Sequence, residues 1–368
     1  MTSQVPTPAL PHAFDRQEAR FTHAFAVIDD GIRRQVTPGA VLAVTHHGQL
    51  IAWHAFGRFT YEPTSPLIGA ETIFDLASVT KAVATTSVAM LLCERAKFKL
   101  NAKTSDFFRE FRDGGKQDVT VAMLLSHSSG LPAYEKLFLR CNTGEELIGA
   151  AAAAPLAYPP GAGSEYSDLG FILLGEILTQ LAGEDLASFA RAEIFQPLGM
   201  HSAQYCPPVP QRSQIPPTQD DREFRHRIIQ GEVDDENASI MGGVAGHAGL
   251  FANAYDLAVF AECMLRGGSP IFKPDTVRQF TTRQPSPAAT HFALGWDTPS
   301  QPSQSGRHLS RFAYGHLGYT GTSLWIDPER RLSITLLTNR TWPHRESQEI
   351  KQLRPAVHDA IVEALDET

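Results

Sequence analysis

Ser78 and Lys81 stand three residues apart in the stretch Leu76-Ala77-Ser78-Val79-Thr80-Lys81, immediately ahead of an apolar run. Val79, Ala82, Val83, Val88, Ala89, Leu91 and Leu92 recur at helical spacing, with no Gly or Pro before Phe98, so the pattern predicts a helix with Ser78 in its first turn. Side chains three apart on a helix are neighbours, their Cβ atoms roughly 5–6 Å apart, which lets the Lys81 amine reach the Ser78 hydroxyl. The unpaired N–H groups of a first turn disfavour a charged Lys81 and offer a donor to an oxyanion. One turn thus supplies a nucleophile, its base and part of an oxyanion hole, the parts that acyl transfer requires. Alone the pair is a short motif, since Ser also caps many helices.

The rest of the composition narrows the classes of function. A chain of 368 residues with 42% apolar and 20% charged content is globular and buries a substantial core. Its formal net charge of -8 is spread without a basic stripe, which argues against nucleic acid and anionic membranes as partners and for a small neutral or weakly charged substrate. Cys93, Cys141, Cys206 and Cys263 are scattered without C-x-x-C spacing, so neither zinc nor a disulfide framework is expected. The adjacent His46 and His47 fall on a turn and lack further ligands at metal-binding spacing. No basic start precedes an apolar core at the N-terminus, and no stretch is long and apolar enough to span a membrane. The expected location is the cytoplasm.

The elements that must position Ser78 and Lys81 follow from periodicity. After a Pro-rich leader, residues 1–12, a helix is expected from about Asp15 to Gln35, with Phe21, Phe25, Ile28 and Ile32 on one face. Val41 to Thr45 and Leu50 to Phe56 read as strands joined by a hairpin at His46-His47-Gly48. Mostly helical segments and long loops run from Ser78 to about Gly268, among them a helix after Tyr166-Ser167-Asp168 and one capped by Asn253 that ends at Gly267-Gly268. A Pro- and Gln-rich stretch, Cys206 to Asp221, reads as an exposed, mobile loop. Strand patterns return at Phe292 to Trp296, Ser323 to Ile326 and Leu332 to Leu337, and a closing helix starts near Pro355. Strands at both chain ends with helices between them predict an α+β fold. An antiparallel sheet assembled from residues 13–77 and 290–368 is covered by terminal helices, and a mainly helical domain, 78–289, is inserted.

An α/β-hydrolase would need a G-x-S-x-G elbow, which this chain lacks. Ser78-Val79-Thr80-Lys81, Tyr166-Ser167-Asp168 and His316-Leu317-Gly318, in that order, resemble the three motifs of the β-lactamase and penicillin-binding protein superfamily. The phrases Leu124-Leu125-Ser126-His127-Ser128-Ser129-Gly130-Leu131-Pro132 and Pro197-Leu198-Gly199-Met200 are similar to the branch of class C β-lactamases, D-Ala-D-Ala peptidases and family VIII carboxylesterases. The resemblance spans roughly Phe14 to Asn339.

That resemblance implies a role for each matching position. Ser78 would be acylated, with Lys81 as base or proton shuttle. Tyr166 would share the proton transfers and activate the deacylating water, its phenolate being accessible where cations such as Lys81 lower its pKa. Asp168 stands where the family more often has Asn, and would either pair with Lys81 or cap the following helix. The backbone N–H of Tyr319 would be the second oxyanion donor, with Gly318 permitting close substrate approach. His316 replaces the lysine of K-T-G, and with an ordinary pKa of about 6.5 it is mostly neutral at pH 7, which argues against efficient penicillin hydrolysis.

A further segment, Val233-Asp234-Asp235-Glu236-Asn237-Ala238 followed by the Gly-rich run Gly242 to Phe251, is similar to a subgroup containing muropeptide amidases, as is Leu337-Thr338-Asn339-Arg340. Asp235 and His247 there would either line the cleft or staple the loop, and the spacing of a calcium loop is absent. The expected protein is a cofactor-independent serine hydrolase acting on a small ester, amide or cell-wall fragment, as a carboxylesterase or muropeptide-type amidase. A β-lactamase or D-Ala-D-Ala peptidase is the alternative. A penicillin-binding sensor that is acylated without turnover is the contrasting class.

Overall fold

The computed structural model describes residues 10–367, so most of the expected leader lies outside the described residues. Its last part, Leu10 to His12, is docked rather than free: Leu50 donates its N–H to Pro11 O at 2.7 Å, and Leu10 is buried. The elements that matter for the site are α1 (Thr22–Arg33), β1 (Gly39–His46), β2 (Gln49–Gly57), α2 (Ser87–Glu94), α3 (Asp168–Ala182), α4 (Ala254–Leu265), β3 (Tyr314–Leu317), β4 (Ser323–Asp327), β5 (Leu332–Thr338) and α5 (Ile350–Asp366).

The two chain ends do build one antiparallel sheet, in the order β2-β1-β5-β4-β3. Its seam is the pairing of β1 with β5, from Ala40 opposite Thr338 to His46 opposite Leu332. Alternate residues of β1 feed two cores, because successive side chains of a strand point to opposite faces. Leu42 and Val44 join Phe21, just ahead of α1, Phe25 and Ile28 of α1, and Val357 and Ile361 of α5. Val41 and Ala43 join a larger core made of α2, α3 and α4. Coverage of both faces explains why Ser333 and Thr335, polar residues that alternate with Leu332, Ile334 and Leu336 along β5, are fully buried. Ser333 Oγ satisfies its polarity by bonding Thr45 Oγ1 at 2.6 Å.

Three expected elements differ. Phe292 to Trp296 is not a strand: Gly295, at φ +83°, turns the chain back, Ala293 bonds Trp296, and only Asp297 bridges to Gly315 on β3. The Pro-rich stretch is not wholly an open loop either, since Pro217–Asp221 pairs with Arg227–Gln230 and is largely buried. The Asn339 side chain pins it by donating to Pro217 O at 2.9 Å. The long N-terminal helix divides at Phe21 into Gln17–Arg20 and α1.

One backbone contact sets where the catalytic helix can sit. A Cβ on Gly246 would lie 2.1 Å from Phe171 O and 2.8 Å from the Cα of Gly175, both on α3. The Gly-rich loop therefore presses directly onto α3, and from there its carbonyls reach the helix after Ser78: Thr85 Oγ1 donates to Gly246 O at 2.6 Å. Gly246→Ala is expected to cost about 2 kcal/mol of stability through overpacking and to lower turnover, measured by urea unfolding and by steady-state hydrolysis of an activated ester.

Candidate active site

The turn before Ser78 is strained and held from several sides. Ala77 adopts φ +46°, a left-handed conformation that costs an L-residue about 1 kcal/mol or more. The buried carboxylate of Asp75 accepts the N–H of Ala77 at 2.8 Å and that of Asp234 at 2.6 Å. Two hydroxyls close the turn from the far side: Thr320 Oγ1 donates to Asp75 O at 2.8 Å and Thr322 Oγ1 to Leu76 O at 3.0 Å. Burial and the neighbouring Asp234 and Asp235 push the Asp75 carboxyl up to about 7, against the pull of its two N–H donors. Helix begins at Val79, one residue past the nucleophile, and is wound as a wider π turn over Lys81–Thr86.

Lys81 is completely buried, yet three oxygens surround its amine. Nζ lies 3.0 Å from Ser78 Oγ, 2.8 Å from His247 O and 2.6 Å from Asp168 Oδ1. Burial lowers its pKa below the usual lysine value and Asp168 opposes that fall, so the balance favours the free amine more than in solvent. Of the two expected roles of Asp168, the structure places it against Lys81; the cap of α3 is Ser167, whose Oγ accepts Gly170 N–H at 3.1 Å.

Tyr166 offers the amine its ring face at 4.9 Å from the centroid. Its phenol is not poised to ionise: burial first, then the charge of Asp168, hold its pKa well above the usual value. The expected phenolate is therefore replaced by a hydroxyl that donates. His127 packs on the Tyr166 ring at 4.7 Å between centroids and accepts Ser167 N–H through Nδ1 at 3.0 Å. It is kept neutral by burial and by Lys81.

His316, on β3, is also neutral, as its residue type implies at pH 7. Burial, then the charge of Lys81, pushes it down to about 3. Its Nδ1 lies 2.9 Å from Leu317 O, a carbonyl that can only accept, so Nδ1 carries the hydrogen and Nε2 presents a lone pair. Gly318 has a different reason from the one expected: a Cβ there would meet Thr322 Oγ1 at 2.0 Å and Leu76 O at 2.5 Å, so the protein's own packing excludes a side chain. The next residue, Tyr319, is half exposed, and no backbone carbonyl of the described residues uses its N–H or that of Ser78.

Asp235 and His247 divide between the two roles expected of them. Asp235 lines the cavity; His247 does not, and its buried ring instead places Nε2 2.8 Å from Asp235 Oδ1. The same carboxylate caps a short helix through Ala238 N–H at 2.7 Å. Burial would raise its pKa, but His247 and Ala238 N–H hold it down to about 2. His247 enters the site through its backbone carbonyl, the acceptor for Lys81.

These groups open into a cavity of about 690 Å³ that includes Ser78, Tyr166, Asp168, His316 and Tyr319. Its wall also carries Arg340, from the phrase noted near the end of the chain, and residues that sequence reasoning passed over: Tyr134, Asp297, Arg345 and Arg354. Arg345 pairs with Asp234 at 2.9 Å and Glu236 at 2.6 Å, which fixes the acidic segment as wall rather than as ligand loop. An arginine within the apolar pattern of the closing helix was the available signal for Arg354.

The sequence pattern of the Beta-lactamase family matches residues 24–358, so the chain belongs to the β-lactamase family, and it is a serine hydrolase of that type. Among curated relatives, N-acetylmuramyl-L-alanine amidase of Bacillus subtilis (strain 168) is 34% identical, over 90% of this chain and 84% of its own. A provisionally named D-alanyl-D-alanine carboxypeptidase of Escherichia coli O157:H7 is 31% identical, over 86% and 82%. The solved structure of EstCE1, described as a hydrolase with promiscuous acyltransferase activity, superposes with a TM-score of 0.77 at 22% identity, covering 94% of this chain and 99% of that one.

The Lys81–Asp168 contact makes a pH prediction. A negative Asp168 stabilises the ammonium, so Asp168→Asn lowers the pKa of Lys81 further. Because the reactive form is the free amine, the acid limb of kcat/KM is expected to move to lower pH. A pH–rate profile of the variant on an activated ester checks the direction.

Proposed function

We propose that the protein is a cofactor-independent amidase that cleaves the amide between a muramyl lactyl group and L-alanine in cell-wall fragments, through an acyl-enzyme on Ser78. The observation that carries this reading is the meeting of Ser78, Lys81 and Tyr166 at a cavity with charges of both signs, in a chain 34% identical to a relative named for that bond. Such a wall offers polar partners as well as apolar surface to a cell-wall fragment. Four free cysteines support a reducing compartment, and we place the activity in the cytoplasm on that basis. Among the described residues no helix is long and apolar enough to cross a membrane.

In this mechanism Ser78 Oγ attacks the carbonyl carbon while its proton passes to Lys81 Nζ. The oxyanion is received by the N–H groups of Ser78 and Tyr319. The Tyr166 hydroxyl protonates the departing nitrogen and is reprotonated from Lys81. Water then attacks the ester carbonyl, its proton returning through the same groups, and Ser78 leaves. His316, being neutral, offers no fixed charge to a substrate carboxylate, which weighs against β-lactams.

Mass spectrometry of reactions with N-acetylmuramyl-L-alanine, an acyl-D-Ala-D-Ala peptide, p-nitrophenyl acetate and a chromogenic β-lactam tests this. Release of L-alanine is expected with kcat/KM at least tenfold above the peptide and the β-lactam, and Ser78→Ala is expected to lose about 10⁴-fold or more. Release of D-alanine instead, or one equivalent of chromophore followed by silence, would contradict it.

A further inference from the structure

The loop after β3 is gripped from behind by two arginines. Arg340 Nε donates to Tyr319 O at 2.7 Å, Arg354 Nε donates to Gly321 O at 3.0 Å, and Arg354 Nη2 donates to Gly318 O. Arg354 comes from α5 and is 5% exposed, and no carboxylate of the described residues lies within ion-pair distance of it. A buried guanidinium balanced by carbonyl dipoles alone is costly to maintain, because charge leaves water without an opposite charge to meet it. A loop tether by itself would not need that charge.

The identity of one acceptor shows what the charge does. Gly318 C=O and Tyr319 N–H are two ends of a single planar, conjugated peptide unit. A cation bonded to the oxygen draws electron density from the nitrogen, which makes the N–H a stronger donor at the opposite end. Gly318 O also accepts the N–H of Gly321 at 3.0 Å, which adds to the same polarisation and fixes the plane of the unit. The hydroxyl staples from Thr320 and Thr322 hold this loop against the turn that carries Ser78. The Arg340 bond falls one unit later, on the peptide that bears Thr320 N–H.

We propose that Arg354 is a positioning residue that aims and strengthens the Tyr319 N–H as an oxyanion donor by charging the Gly318 carbonyl of the same peptide unit. The proposal rests on the acyl-transfer reading of Ser78. Arginine suits the task because two separate nitrogens of one rigid plane reach Gly321 O and Gly318 O together. Its influence falls on a charge that exists only while the tetrahedral intermediate forms, so it acts on kcat rather than KM.

The test compares p-nitrophenyl acetate with its thionoacetate analogue in the full-length enzyme, since a developing thiolate gains much less from an oxyanion donor than an oxyanion does. Arg354→Gln and Arg354→Lys are expected to fold and to lower kcat for the oxygen ester about tenfold, less than the roughly 10²–10³-fold that loss of a whole oxyanion donor costs. KM should stay within twofold, and the oxygen-to-sulfur rate ratio should shrink by the same factor as kcat. Arg340→Gln, which touches the neighbouring unit, should leave that ratio at the wild-type value. The proposal is overturned by an unchanged ratio in both Arg354 variants, by an equal change in Arg340→Gln, or by failure of both Arg354 variants to fold, which would make the residue part of the scaffold. Failure of the acyl-transfer reading would look different: the wild-type enzyme would turn over neither ester, or Ser78→Ala would turn over both.

Discussion

Burying the Lys81 amine among three oxygens is the constraint on which the site depends. An amine taken wholly out of water must find acceptors in the protein, and each of its three comes from a different part of the chain: Ser78 from the same turn, Asp168 from the start of α3, and His247 from the Gly-rich loop. Each acceptor in turn has its own support. Ser78 rests on the Asp75 turn, Asp168 on a helix capped by Ser167, and His247 on the Asp235 carboxylate. The close approach of Gly246 to α3 is the steric condition that brings the last two together.

Protonation in the site follows from the same burial. Lys81 is moved toward its free base, Tyr166 toward its phenol, and His127 and His316 toward neutral imidazoles. Hydroxyls and imines then face the nucleophile where charges would otherwise repel or trap one another, and proton transfer between Ser78, Lys81 and Tyr166 needs no separation of charge over long distances. The arginines stand back from this centre. Arg345 is tied to Asp234 and Glu236 in the cavity wall, and Arg354 lies behind the loop that presents Tyr319.

Much of this was legible in the chain because its signals are local. Helical spacing after Ser78 put the amine beside the hydroxyl, an apolar run at β1 and alternation at β5 marked sheet strands, and the Asn253 cap marked the start of α4. What escaped depends on contacts between distant segments. The burial of Ser333 and Thr335 requires knowing that α4 covers their face. The failure of Phe292 to Trp296 to form a strand lies in the turn at Gly295, which an apolar run conceals. The raised pKa of Tyr166 is a consequence of tertiary burial, so the argument from a nearby cation alone pointed the wrong way. Arg354 escaped because the closing helix was expected only from about Pro355, whereas it starts at Ile350 and buries Arg354 in its first turns.

The account is tested most directly by trapping the intermediate it requires. Acid quench of the wild-type enzyme during the first turnover of a bulky p-nitrophenyl ester, followed by peptide mapping, should place the acyl group on the peptide containing Ser78 and localise it to that side chain. Product formation with no covalent adduct, or an acyl group carried by any other residue, would contradict it.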